Sequence, residues 1–227
     1  MNPKARLAVF VSLLLMAALR PAPAIADTWM LPTQTQYYSP DKSFYLDVTP
    51  KRLESQLKYF EDQVSGKENA GAAEDEQATQ ARGALYARGS DGKYSRKSEF
   101  PLLNKVAPAD ALVSDRGDYF VTFDNWHNVG YGDQVVVIYR ADGSVVRKLS
   151  LSDFLTEADI EKLSRTVSSI WWREDAFIDE AKRELVLPIR MRQEDPHQQM
   201  TPARPKVRID LATGQLLRPK RDLHAHR

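Results

Sequence analysis

An internal repeat constrains this chain more than any other feature. Three segments place a polar turn directly before an apolar strand: Ser39-Pro40-Asp41-Lys42 before Phe44 to Val48, Ser114-Asp115-Arg116-Gly117 before Tyr119 to Phe123, and Asp179-Glu180-Ala181-Lys182 before Leu185 to Ile189. Each is followed by a second turn after a further strand: Ser90-Asp91-Gly92 after Leu85 to Ala87, Ala141-Asp142-Gly143 after Val135 to Tyr139, and Ala212-Thr213-Gly214 after Val207 to Leu211. The glycine of each second turn supplies the positive φ of a tight hairpin, and Asp or Thr bonds locally to the backbone. The expected fold is therefore all-β, built from three antiparallel repeat units with one or two short helices.

Hydropathy within the repeat refines the expectation. Val207, Ile209 and Leu211 alternate with Arg208 and Asp210, the pattern of a half-buried strand. Val135 to Tyr139 is apolar throughout, which predicts a strand covered on both faces. Leu185, Leu187, Ile189 and Met191 alternate with Val186, Pro188 and Arg190, and Pro188, lacking an N–H, predicts an edge strand or a bulge. Leu53, Leu57, Phe60 and Val64 recur at helical spacing, with Thr49 as N-cap and Pro50 in the first turn, and predict an amphipathic helix. Residues 65–82, rich in Gly, Ala, Glu and Gln and without aromatics, read as a flexible insertion. A second short helix is expected near Glu157 to Leu163, with Thr156 and Asp159 as a capping-box-like pair.

The turns Ser-Pro-Asp-Lys at 39–42 and Ser-Asp-Arg-Gly at 114–117, with the Asp-Gly hairpins at 91–92 and 142–143, resemble those of TolB-type and WD40-like β-propeller blades. The resemblance implies blade-like units. It departs from the family in the third unit, which lacks the first turn's motif, and in the absence of a closing Trp-Asp pair. Three units are also fewer than the four to eight of closed propellers, so either a fourth blade is hidden in the divergent N-terminal residues or the sheets stack in an open arrangement. It carries over no binding or catalytic residue.

The N-terminal segment reads as a cleavable secretory signal: Lys4 and Arg6, an apolar run from Leu7 to Leu19, then Ala24-Ile25-Ala26. The run is too short to span a bilayer, and cleavage after Ala26 gives a single domain over 27–227, periplasmic or secreted. Of the 32 Lys and Arg, Lys4, Arg6 and Arg20 leave with the signal, so 29 remain against 31 Asp and Glu. A net charge near −2 gives no electrostatic case for nucleic acid or anionic membrane. The absence of cysteine removes disulfides and thiolate metal sites.

The most function-like stretch is Asp124-Asn125-Trp126-His127-Asn128-Val129-Gly130-Tyr131-Gly132-Asp133, ten residues where a hairpin needs two to five. Trp126 and Tyr131 can stack on a sugar or peptide while Asn125, His127 and Asp133 supply hydrogen bonds. Alternatively, Trp126 fills the core and the polar side chains satisfy buried backbone. The expected function is a non-enzymatic interaction module binding a protein or cell-envelope glycan through Asp124, Asn125, Trp126, His127, Tyr131 and Asp133. The alternative is an envelope hydrolase using the carboxylates and His127 of the same loop, with Asp124 and Asp133 as acid and base if folding brings them within several ångströms. Of Trp171 and Trp172, neighbours on a strand point to opposite faces, and both are expected to be covered, one by the core and one by a neighbouring unit. His197, and His224 and His226 near Asp222, are too scattered to define a metal site, and no cofactor is called for.

Overall fold

Alternation along two adjacent strands organises the molecule. The computed structural model describes residues 30–191 and 205–217; the signal-like segment and His197, Asp222, His224 and His226 lie outside them. Among the described residues, thirteen strands form four antiparallel sheets. The first joins β1 (Thr35–Tyr38), β2 (Phe44–Thr49), β3 (Arg82–Arg88) and β4 (Tyr94–Pro101) in chain order. The second joins β5 (Asp110–Val113), β6 (Tyr119–Phe123), β7 (Val136–Arg140) and β8 (Val145–Leu149) in the same way. A hairpin of β9 (Ser164–Arg165) and β10 (Ile170–Trp171) follows, and then a three-stranded sheet of β11 (Phe177–Asp179), β12 (Glu184–Pro188) and β13 (Lys206–Asp210).

The second sheet is covered on both faces because β6 and β7 are apolar at consecutive positions. Phe120, Val137 and Tyr139 pack with Leu46, Val48, Leu85 and Phe100 of the first sheet. The intervening Tyr119, Val121, Phe123, Val136 and Ile138 pack with Leu185, Leu187 and Ile209 of the third. Phe100, Phe120 and Tyr139 stack in series, with ring centroids 4.9 and 4.7 Å apart. Two cores thus meet back to back through one sheet, and loss of a large side chain from either costs about 3–5 kcal/mol.

The turns of the repeat are local devices. Ser39 and Ser114 each accept, through Oγ, the amide five residues on, from Phe44 and Tyr119, both at 3.1 Å. Lys42, Gly117 and Arg183 carry the chain through left-handed φ of 59°, 65° and 56°. Gly92, Gly143 and Gly214 do so in the second turns, at 78°, 85° and 69°. Successive turns also bond to one another: the Asp41 amide donates to Asp115 at 2.9 Å, and the Asp115 amide to Glu180 at 2.8 Å.

Four expectations are corrected. Pro188 is not on an edge, since β12 lies between β11 and β13. It is the last residue of β12, and its carbonyl accepts Glu174 N–H at 2.9 Å, a bond that needs no N–H from the proline. The first helix, α1, spans Gln56–Val64, with Ser55 rather than Thr49 as N-cap, accepting Lys58 N–H. Pro50 and Leu53 lie outside it, and Leu53 instead bridges to Ala72. Among the described residues helices number three: α2 (Leu151–Phe154) and α3 (Glu157–Glu161) are single turns, and Thr156 and Asp159 form the expected capping box of α3. α2 is too short for periodicity to reveal; Ser150 ties it to Asp153 by N–H and O–H bonds of 2.7 and 2.6 Å. Trp172 is buried, but Trp171 is 43% exposed, so no neighbouring unit covers it.

Residues 65–82, read from composition as flexible, hold several ordered contacts. Ala70 and Ala81 are buried, and Lys51, buried itself, donates to the Ala70 carbonyl at 2.8 Å. The Ala81 amide donates to Asn104 at 3.0 Å.

Candidate functional site

The loop between β6 and β7 begins where Asp124 adopts a left-handed φ of 55° and turns the chain out of the sheet. The Asp124 amide closes the base of the loop on the Val135 carbonyl at 3.0 Å. Its carboxylate, 2% exposed as a residue, accepts the Gly130 amide at 2.7 Å and the Trp172 indole N–H at 3.1 and 3.2 Å. The loop therefore folds back onto its own root. Arg173 stacks over Phe123, 4.2 Å from the ring centroid, and its charge favours ionised Asp124, although its guanidinium donates to Asp110 at 2.6 Å. Burial outweighs these bonds and pushes the Asp124 carboxyl up to about 6.

The next three residues turn inward. Asn104, fully buried, donates to the Asp124 carbonyl at 2.7 Å and to Asn125 Oδ1 at 3.2 Å, and accepts Thr122 O–H at 3.1 Å. Trp126 is 7% exposed; its amide donates to Ala107 at 2.9 Å, and its ring lies against Tyr59, Phe60 and His127. His127 Nε2 shares a 2.8 Å hydrogen bond with the Tyr59 hydroxyl. Burial lowers the His127 pKa and raises that of Tyr59, so both are neutral near pH 7.

The far side of the loop meets the β9–β10 hairpin. Ile170 donates its amide to Val129 at 2.9 Å, and a Cβ on Gly130 would stand 2.7 Å from that of Ile170. Tyr131, 37% exposed, and Asp133, ion-paired with Lys148 at the surface, face away from this network. Of the six residues expected to form the site, Asp124 and Asn125 meet through Asn104, Trp126 and His127 meet through Tyr59, and Tyr131 and Asp133 join neither group. Asp124, His127 and Asp133 have three separate sets of partners, and no shared pocket unites them.

α1 completes the cluster with a face opposite to its apolar stripe. Tyr59 and Asp62 are buried. Asp62 accepts Lys58 Nζ at 2.9 Å, Lys67 Nζ at 2.6 Å and the Gly71 amide at 3.0 Å, which hold its carboxyl well below the usual range. Gly71 lies so close that a Cβ would stand 2.6 Å from Tyr59 Cα. Leu57, Phe60 and Val64 consequently point outward, 67%, 39% and 91% exposed, over an open depression shared with Lys58, Glu61 and Lys67. Tyr59, Asn104 and Trp172 were not foreseen as members of the site. The adjacent Tyr59-Phe60 pair was the available signal, because one of the two must face away from the stripe.

Among the described residues, no group of three or more His, Asp or Glu could hold a metal ion, and no helix is long and apolar enough to cross a membrane. No protein-family model matches the chain, and neither does any curated protein. Among solved structures the chain is similar to the periplasmic gluconolactonase PpgL of Pseudomonas aeruginosa, at 17% identity and a TM-score of 0.36. The likeness covers 68% of this chain and 35% of that one, so the chain spans about a third of that protein's length. Similarity at that level assigns neither a family nor an activity.

Proposed function

We propose that this chain is an exported interaction module, built from three propeller-blade-like units, that docks a partner protein on the outer face of α1 beside Trp126 and His127. The carrying observation is the outward stripe of Leu57, Phe60 and Val64 on a helix whose other face is locked by Tyr59 and Asp62. A helix anchored on one side and apolar on the other is a pre-ordered docking surface, with little entropy left to lose on binding. The order of the first two sheets, each a four-strand meander, and the recurring turns support the blade-like reading. Export rests on the order of charge, apolar run and Ala-Ile-Ala in the first 26 residues.

A protein fits better than a glycan. Sugar recognition needs outward hydrogen-bonding groups, and those of Asp124, Asn125 and His127 are engaged internally. The same engagement disfavours hydrolysis, since the Asp124 carboxylate is sealed beneath Trp172 and Gly130.

The test is capture from a cell-envelope extract by the immobilised chain, compared with a Leu57→Glu/Val64→Glu variant. The expected result is at least a tenfold loss of capture with an unchanged unfolding midpoint, because both residues are exposed. Undiminished capture by the variant, or displacement of the partner by soluble envelope oligosaccharides, overturns the reading.

A further inference from the structure

The first sheet turns one face to the core and a row of aromatic rings the other way. Phe44, Leu46, Leu85 and Phe100 face the first core, so their neighbours along the strands face away from it. There Tyr38, Tyr45, Tyr86 and Arg96 stand opposite one another in turn across all four strands. Tyr45 and Tyr86 stack 4.6 Å apart at an interplanar angle of 5°, Tyr38 lies 5.1 Å from Tyr45, and Tyr94 stands edge-on to Tyr38 and Tyr45. Tyr45 is buried among these rings, whereas Tyr38 is 46% exposed and Arg88 and Arg96 are open to solvent.

A β-bulge brings two members to this face. Phe100 packs inward, and Ser98 donates its hydroxyl to the Ala141 carbonyl on the same side. Strict alternation would turn Arg96 and Tyr94 inward with them. The register instead shifts at Leu85/Tyr86, leaving Lys97 without a partner on β3. Arg96 therefore meets Glu99 on the outer side, and Tyr94 reaches Tyr45. Bulges re-aim side chains in this way beside functional surfaces.

The rings present edges, not faces. Tyr45 and Tyr86 stack along the sheet at about one strand spacing, so their faces close on each other and their edges point away from it. The Tyr38 and Tyr94 hydroxyls donate to Gln36 and to the Lys42 carbonyl at 2.8 and 2.6 Å. Among the described residues, those of Tyr45 and Tyr86 have no partner, and neither oxygen is buried. A ring edge is the positive end of the aromatic quadrupole, and the arginines beside it carry the same sign. The acids of this face are already engaged. Asp47 accepts Gln34 at 2.8 and 3.0 Å, and Glu99 pairs with Arg82 and Arg96 at 2.9 and 2.6 Å. Among the described residues, the exposed Lys42, Arg88, Lys93 and Lys97 at its border form no ion pair.

We infer that this face binds an acidic, extended segment of a partner protein, with its carboxylates on Arg88, Arg96 and the Tyr45 and Tyr86 hydroxyls. Tyrosine and arginine are the residues on which protein contacts most often depend. A nucleobase or sugar ring fits less well, because stacking needs an open aromatic face. The same face of a second copy would set arginine against arginine. The surface lies at the opposite end of β2 from α1 and does not depend on docking there, so either can fail without the other.

The experiment is fluorescence anisotropy of a labelled peptide of alternating Glu and Thr, about twelve residues long, titrated with the purified full chain. The control peptide carries Gln in place of Glu. The acidic peptide is expected to bind at least about fivefold more tightly than the control at low ionic strength, and to weaken as salt rises. Arg88→Gln/Arg96→Gln is expected to lose at least about fivefold of that affinity, and Tyr45→Phe/Tyr86→Phe at least about threefold. Both should keep the wild-type unfolding midpoint, because Arg82 still holds Glu99 and the phenylalanine rings still stack. Equal affinity for the two peptides, or full affinity in either variant, overturns the inference. So does equal or tighter binding of a thymidine oligonucleotide or a sulfated oligosaccharide that displaces the peptide, which would assign the face to polyanions at large.

Discussion

The carboxylate of Asp124 accepts the indole N–H of Trp172 at 3.1 Å across 48 residues of sequence, and this bond joins the root of the β6–β7 loop to the residue that follows β10. The same carboxylate holds the Gly130 amide, so a single buried group fixes both ends of the loop's inner half.

This arrangement predicts a pH signature. The Asp124 carboxyl is raised to about 6 in the folded protein, against 3.8 as a free side chain. The folded state therefore keeps the proton longer than the unfolded state as pH rises. Stability from this group is fully present below about pH 4 and is lost by about pH 6. The change is about 3 kcal/mol, because each tenfold difference in proton affinity between the two states is worth about 1.4 kcal/mol. Urea midpoints of wild type and Asp124→Asn, compared from pH 3.5 to 7.5, should show the wild-type advantage shrinking across that window. A pH-independent difference refutes the assignment.

Trp126→Ala should act on folding before binding. The ring is almost fully buried against Tyr59 and Phe60, and its loss should cost about 3–5 kcal/mol. Thermal unfolding followed by circular dichroism checks this, and a shift of less than about 3 °C would place the ring outside the core.

Two glycines separate strain from packing in residues 65–82. Gly66 and Gly71 have similar positive φ, 71° and 64°, but only Gly71 abuts the Tyr59 backbone. Gly66→Ala should cost about 1 kcal/mol from φ alone, and Gly71→Ala at least about 2 kcal/mol more because backbone must move. Equal costs by chemical denaturation would show that the segment does not pack on α1.

Gly143→Val should destabilise by more than about 2 kcal/mol. Its φ is 85°, and a Cβ would stand 2.3 Å from the Phe100 ring, which forms part of the first core. An unchanged denaturation midpoint would contradict the packing of this hairpin against the first sheet.

Much of the strand framework was legible because its signals are local. Ser39 and Ser114, the glycines at 92, 143 and 214, and the apolar run of β7 act on residues a few positions away, and the structure places them in turns and a doubly covered strand. The capping box of α3 was legible for the same reason. α1 was misjudged because periodicity reports that a helix has two faces, and cannot say which one the rest of the chain will cover.

Local residue patterns mark where the chain turns, which segments extend, and that the 124–133 stretch is no ordinary hairpin. Long-range packing is what turns Asp124, Asn125, Trp126 and His127 inward while Tyr131 and Asp133 stay outside. It also turned Leu57, Phe60 and Val64 to solvent and left Trp171 exposed beside a buried Trp172. The physical reason is that turns and strands follow from short-range sterics and hydrogen bonding. The direction in which a side chain faces depends instead on partners such as Trp172, Asn104 and Gly71, whose distance in sequence only the fold removes.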